Sequence, residues 1–283
     1  MAEKYITRGM IAGYAEKLHA DEKSAVTIEK YVRDVRAFAR FAGEREITKE
    51  LAISYKQTLQ DRGYALSSVN SMLASVNSFL TFCGHVDCKV RLLRVQRRIY
   101  QSAEQELSRA EYESLLDAAK RDTRLWLVLQ TICATGIRVS ELQYFTVEAV
   151  RAGEVFVACK NKNRSVLIPE KLRTRLLRYA QERGIDKGIV FRTRGGRALH
   201  RGNIWAAMKR LCGQAKINPD KVFPHNLRKL FARTFYQLEH DIAKLADVLG
   251  HSSINTTRIY IMTTGTEHRR LMDRLHLLAD GVT

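Results

Sequence analysis

Apolar positions along this chain recur mostly at intervals of three and four, the period of an α-helix with one buried face. In residues 27–41, Ile28, Tyr31, Val32, Val35, Phe38 and Phe41 fall on one stripe, and Arg33, Arg36 and Arg40 lie off it. The pattern predicts an amphipathic helix that ends at Gly43. A second stripe, Val69, Met72, Leu73, Val76, Phe79 and Leu80, predicts another helix, opened by Ser67 and Ser68 as caps and closed at Gly84. The first 95 residues carry almost no strand signal.

Beyond them the pattern weakens into a basic stretch with Lys89, Arg91, Arg94, Arg97 and Arg98. This divides the chain into a helical domain at 1–95, a linker at 96–107 and a second domain at 108–283. Ser108 with Glu111 three residues on forms a capping box that starts the second domain. An apolar helix follows through 125–132 and breaks at Gly136, and the pattern resumes at Val139 with Arg138 between them. Residues 154–159 and 164–168 alternate apolar and polar in steps of two around Lys160, Asn161, Lys162 and Asn163, which predicts one β-hairpin. Helical periods return at 173–183 and 204–212 and continue toward the C-terminus. The fold class is therefore mainly α with a small hairpin.

Charge narrows the class of partner. Forty-eight Lys and Arg against 30 Asp and Glu leave a net charge of +18 in 283 residues, distributed over both halves. A polyanion, and foremost nucleic acid, is the partner this favours over an anionic membrane surface. No run of about 18 uncharged apolar residues offers a membrane span. The five cysteines are odd in number and no charged-then-apolar leader precedes them, so a reduced, cytoplasmic location is expected. Cys83 and Cys88 flank His85, but no second pair stands at zinc-ligand spacing, and no metal is expected. The Gly195-Gly196 pair between arginines reads as a tight turn, not a nucleotide cradle.

The chemistry gathers in the last third of the chain. Pro224 predicts the start of a helix over about 225–238. On it Leu227, Leu230, Phe231, Thr234, Phe235 and Leu238 share one arc, and His225 and Arg228 are expected together on an outward face. A short helix at 241–249 stops at Gly250, His251 follows at once, and Ser252 or Ser253 can cap a last helix bearing Thr256, Thr257 and Tyr260. A phenol has a free pKa of about 10, so a nucleophilic tyrosine needs activation and a target stripped of charge. Arginine and histidine donors provide both.

Ala134-Thr-Gly-Ile-Arg138-Val-Ser-Glu141-Leu142, His225-x-x-Arg228, Leu249-Gly-His251-Ser-Ser253 and Tyr260, in that order, resemble the tyrosine recombinase and phage integrase family. The resemblance covers the whole second domain, and the helical first domain is similar to the family's SAM-like core-binding domain. It implies that Tyr260 attacks a DNA phosphate to leave a 3′-phosphotyrosyl bond and a free 5′-hydroxyl. Arg138 and Arg228 would hold the non-bridging oxygens, His225 would assist proton movement at the tyrosine, and His251 would donate to the phosphate. Lys160 would protonate the departing 5′-oxygen, with Lys162 as the alternative, and Glu141 would support the site from behind. A lysine, Lys229, stands where the family commonly has a histidine after the second arginine.

The resemblance further implies no cofactor, neither metal nor ATP. It implies double-stranded DNA with inverted half-sites, a homodimer on each site and a homotetramer in the synapse. Candidate DNA contacts are Arg36, Arg94, Arg97, Arg98, Lys162 and Arg164. The tail at 267–278, with Leu271, Met272, Leu275 and Leu278 at helical spacing, can dock on a neighbouring subunit or pack on its own domain. Competing functions are relaxation of the type IB topoisomerase kind and a non-catalytic architectural DNA-binding protein. The target sequence, any accessory proteins and the biological task are not written in one chain.

Overall fold

The computed structural model describes residues 4–94, 106–159, 162–262, 269–270 and 272–275. It divides into two compact units, Met1–Arg97 and Arg98–Thr283.

The first unit consists of α1 (Arg8–Ala20), α2 (Ala25–Ala42), α3 (Lys49–Asp61) and α4 (Leu66–Phe82). Val32, Val35 and Phe38 of α2 and Val69, Leu73, Val76, Phe79 and Leu80 of α4 are buried, as their stripes predict. The caps of α4 differ from expectation. The helix begins at Leu66 with Ala65 in the capping position, so Ser67 and Ser68 lie inside the first turn.

Two polar devices in this unit were invisible to periodicity. Asp34 is buried on α2, where it pairs with Lys30 at 2.8 Å and Arg33 at 3.0 Å and accepts from Ser75 of α4 at 3.1 Å. Asn70 and Asn77, two turns apart on α4, each exchange a pair of hydrogen bonds with the backbone of the following chain. Asn77 holds Val90 at 2.8 and 2.9 Å, and Asn70 holds Leu93 at 2.8 and 2.7 Å. A side-chain amide offers the same donor and acceptor as a peptide group, so these two bind the following chain much as a neighbouring strand would. The basic stretch is thus fastened to the first unit as far as Leu93.

The second unit runs α5 (Arg109–Ala119), α6 (Thr123–Thr135), a 3₁₀ turn (Val139–Tyr144), α7 (Val147–Ala152), β1 (Glu154–Cys159), β2 (Lys162–Leu167), α8 (Glu170–Glu182), α9 (Arg201–Ala215), α10 (Pro224–Glu239), α11 (Ile242–Leu249) and α12 (Ile254–Ile261). The capping box at α5 forms with both bonds, at 3.2 and 2.7 Å. β1 and β2 pair antiparallel from Glu154 with Leu167 to Cys159 with Lys162, so the ladder runs two residues farther toward the tip than alternation alone indicates. Val155, Val157, Val166 and Ile168 face the core, and Phe156 and Leu167 face outward. α6 packs against α10, and α10 also packs against α11 and α12, which places these four elements around the predicted chemistry.

α6 ends where Gly136 turns into the left-handed region at φ +64°, and a Cβ built there would stand 2.4 Å from the Phe231 ring of α10. Gly136→Ala is expected to lower the unfolding free energy from urea titration by more than the roughly 1–2 kcal/mol of a left-handed alanine alone. Gly184→Ala, at φ +61° with open space around it, isolates that backbone cost. Equal losses in the two variants would contradict the close approach.

Candidate active site

Arg228 is the centre of the arrangement, and its position corrects the expectation of an outward face. It is 1% exposed on the first turns of α10. The sequence shows one helix with one apolar arc, whereas α10 is covered on several sides. Arg228 Nη1 donates to the Gly136 carbonyl at the end of α6, and Nη2 donates to the Leu249 carbonyl at the end of α11 at 2.7 Å. Nη2 also lies 3.0 Å from His251 Nε2. Conversely Leu238, placed by its period on the apolar arc, is 78% exposed near the end of the helix.

The local sequence explains why those carbonyls are available. A helix leaves its last carbonyls without intrahelical partners, and glycine at its end lets the chain turn away and leave them accessible. Gly136 and Gly250 both adopt this left-handed turn. Each helix end also carries partial negative charge, so two of them stabilise a buried guanidinium. Burial, and secondarily Arg138, nevertheless pushes the pKa of Arg228 down to about 10, which leaves it charged at neutral pH.

Glu141 organises the second arginine. Its carboxylate is buried and accepts from the Arg138 backbone at 2.8 Å, from Arg138 Nη1 at 2.9 Å and from Arg164 Nη2 at 2.5 Å. Arg138 keeps 40% of its side chain exposed and Arg164 only 13%. Arg164 also donates to the Leu249 carbonyl. A Cβ at Gly250 would lie 2.5 Å from Arg164, so that glycine is required both for its φ of +65° and for this approach. Arg164, expected as a DNA contact, therefore joins the hairpin to Glu141 and to the turn before His251. Strand parity carries the signal for this: Arg164 shares its face with the buried Val166 and Ile168.

Tyr260 lies on α12 and is 7% exposed. Its ring stands 5.0 Å from the ring of His225, 5.1 Å from that of His251 and 6.0 Å from the Arg228 guanidinium. Of the two candidate serines, Ser253 caps α12. His225 stacks on Phe223 with an interplanar angle of 5°. Its pKa is lowered by desolvation and then by the charges of Lys229, Arg228 and Arg138. Burial lowers that of Lys229. His251 is pushed down to about 4 by burial, then by Arg228, Arg138, Arg164 and His225. Its Nδ1 lies 2.9 Å from the hydroxyl of Thr257, a fully buried residue that shares a helix face with Tyr260 and that the sequence placed on this helix without a role.

The structure thus brings together Arg138, Glu141, His225, Arg228, His251 and Tyr260. Lys160 falls outside the described residues, as do Arg97 and Arg98. Lys162 is the first residue of β2, and Arg36 and Arg94 are exposed in the first unit. Half of the tail at 267–278 also lies outside the described residues, Leu271 and Leu278 among them; Met272 and Leu275 are each 59% exposed.

Residues 105–266 match the model described as the phage integrase family, and residues 11–85 match its N-terminal SAM-like domain. The chain belongs to the phage integrase family. The enzyme class read from the sequence, tyrosine-type site-specific recombination, stands with it, and neither DNA relaxation nor a purely architectural role is favoured. Among curated relatives, tyrosine recombinase XerA of Pyrococcus furiosus is 27% identical over 286 residues, with 98% of each chain covered. In fold the enzyme is similar to a lambda integrase dimer bound to a COC′ core site (TM-score 0.73, 18% identity, 98% of this chain and 99% of that one). It is also similar to a lambda integrase tetramer bound to a Holliday junction (TM-score 0.72, 18% identity, 100% of this chain and 82% of that one).

The depressed pKa of His251 has a consequence for stability. An unfolded histidine titrates near 6.5, so between that value and about 4 the unfolded chain binds a proton that the folded site refuses. Folding stability is expected to fall as pH drops through this window, and His251→Gln is expected to flatten the decline without removing the share due to His225. Urea titrations at several pH values check this, and identical slopes in both proteins would contradict it.

Proposed function

We propose that the enzyme cleaves and rejoins DNA strands through a covalent bond between Tyr260 and a 3′-phosphate, without metal or ATP. The observation that carries this reading is a charged guanidinium, Arg228, buried beside the tyrosine with no carboxylate bonded to it among the described residues. A buried cation without an anion is costly unless one arrives, and Arg228 Nε is still unspent among the described residues. Arg138 adds a second, half-exposed guanidinium at the mouth of the site. A phosphodiester between the two receives the planar donor pairs that such groups provide.

In this reading the Tyr260 oxygen attacks phosphorus, its proton leaves toward His225, and the bond from phosphorus to the 5′-oxygen breaks. His225 suits that role because its lowered pKa keeps it neutral and able to accept. Arg138, Arg228 and His251 stabilise the charge that builds on the non-bridging oxygens. Lys160 supplies the proton to the departing 5′-oxygen, with Lys162 as the alternative. Glu141 and Arg164 act behind them by holding Arg138 and the turn that bears His251. Rejoining is the reverse reaction with a new 5′-hydroxyl.

The assembly we propose follows the lambda integrase complexes: a homodimer on inverted half-sites of double-stranded DNA and a homotetramer when two sites meet. Arg36, Arg94, Arg97 and Arg98 are proposed DNA contacts, Lys162 a lesser one. No described helix is long and apolar enough to cross a membrane, and the proposed place of action is the cytoplasm, on the DNA.

Nicked duplexes drawn from DNA flanking the gene and from Xer-type sites test the proposal. Wild type is expected to form a covalent adduct that survives denaturation and forms in excess chelator, while Tyr260→Phe binds the same DNA and forms none. An adduct in the phenylalanine variant would sink the assignment of Tyr260. Arg228→Ala is expected to slow single-turnover cleavage by about 100-fold or more, the usual scale for losing a group that stabilises transition-state charge. A normal rate would remove its role.

A further inference from the structure

The imidazole of His251 is held at both nitrogens. Arg228 Nη2 stands 3.0 Å from Nε2, and the Thr257 hydroxyl stands 2.9 Å from Nδ1. A guanidinium has only donors, so Nε2 must be the acceptor in this DNA-free arrangement. The proton of the neutral ring is then on Nδ1 and is donated to Thr257 Oγ1. The doubly protonated ring is excluded at neutral pH, since burial and the surrounding arginines hold its pKa near 4.

That tautomer is the wrong one for catalysis. To donate to a phosphate oxygen, His251 needs its single proton on Nε2, and Nδ1 must then accept a hydrogen bond. A backbone carbonyl or a carboxylate at Nδ1, the usual partners of a functional histidine, would lock the proton on Nδ1 because each only accepts. A hydroxyl both donates and accepts. Thr257 is fully buried on α12, one turn before Tyr260, so its hydroxyl stands at Nδ1 screened from solvent.

We infer that Thr257 is a positioning residue that lets His251 exchange tautomers when DNA binds, its hydroxyl accepting from Nδ1 in the free enzyme and donating to Nδ1 when a phosphate takes the Arg228 hydrogen bond from Nε2. Solvent water in the site gives the proton to Nε2 and takes the one that leaves Nδ1, so one proton enters the ring for each that departs and the net charge of the site is unchanged. The inference rests on the proposed reading of His251 as a phosphate donor.

Two measurements test it together. Nitrogen-15 NMR of the imidazole in Tyr260→Phe reports which nitrogen carries the proton, first in the free protein and then on the nicked duplex that wild type cleaves. The expected result is protonated Nδ1 in the free protein and protonated Nε2 on DNA. Single-turnover cleavage then compares two variants at Thr257. Thr257→Val, which keeps the shape and removes the hydroxyl, is expected to lose about 10- to 100-fold, the scale of supporting hydrogen bonds around a functional histidine. Thr257→Ser is expected to stay close to wild type, and DNA affinity to stay unchanged in both. A ring that keeps its proton on Nδ1 in the complex, or a valine variant that cleaves normally, overturns the inference while a normal Tyr260 adduct leaves the parent reading standing. Absence of any Tyr260 adduct in wild type overturns both.

Discussion

The buried guanidinium of Arg228 is the constraint on which the site depends. It joins the end of α6, 92 residues earlier in the chain, to the end of α11 and to His251, so one side chain ties the first arginine's turn to the segment that leads to the tyrosine. Among the described residues its charge is met by the carbonyl ends of two helices and not by a bonded carboxylate, which gives only partial compensation. Partial compensation is what a site for a transient anion needs. A permanent carboxylate partner would stabilise the empty enzyme and compete with the phosphate, whereas helix ends hold the cation in place and leave its charge largely unspent.

Glu141 solves the complementary problem. Its carboxylate engages both Arg138 and Arg164, while Arg228 is left to the carbonyls. Among the described residues, three guanidinium groups therefore gather around one carboxylate. Burial first, and then the same positive surroundings, keep both histidines below their ordinary pKa, so they remain neutral at physiological pH. Charge excess and neutral imidazoles are two results of one arrangement.

Much of this was legible in the sequence, because α2 and α4 each turn one apolar stripe to a core and the capping box at Ser108 is a local signal. The order of Arg138, His225, Arg228, His251 and Tyr260 was enough to name the chemistry. The depth of Arg228 was not legible, since the period of α10 cannot show that α6, α11 and α12 cover its other sides. Arg164 was misread for its charge, although its strand parity already pointed inward. Asp34, and Asn70 with Asn77, make bonds between segments distant in sequence, and no local pattern encodes them. Thr257 was hidden for a related reason, since a hydroxyl acquires meaning only from the ring nitrogen packed against it.

The central claim is that Arg228 stays buried and only partly compensated in order to meet the charge of the scissile phosphate. The most direct test compares cleavage by wild type and Arg228→Ala on two versions of one nicked duplex, the natural phosphodiester and a neutral methylphosphonate at the scissile position. If the guanidinium serves the phosphate charge, the loss caused by the substitution should be large on the phosphodiester and small on the methylphosphonate. An equal loss on both would show that Arg228 serves the fold and not the phosphate, and would contradict the account.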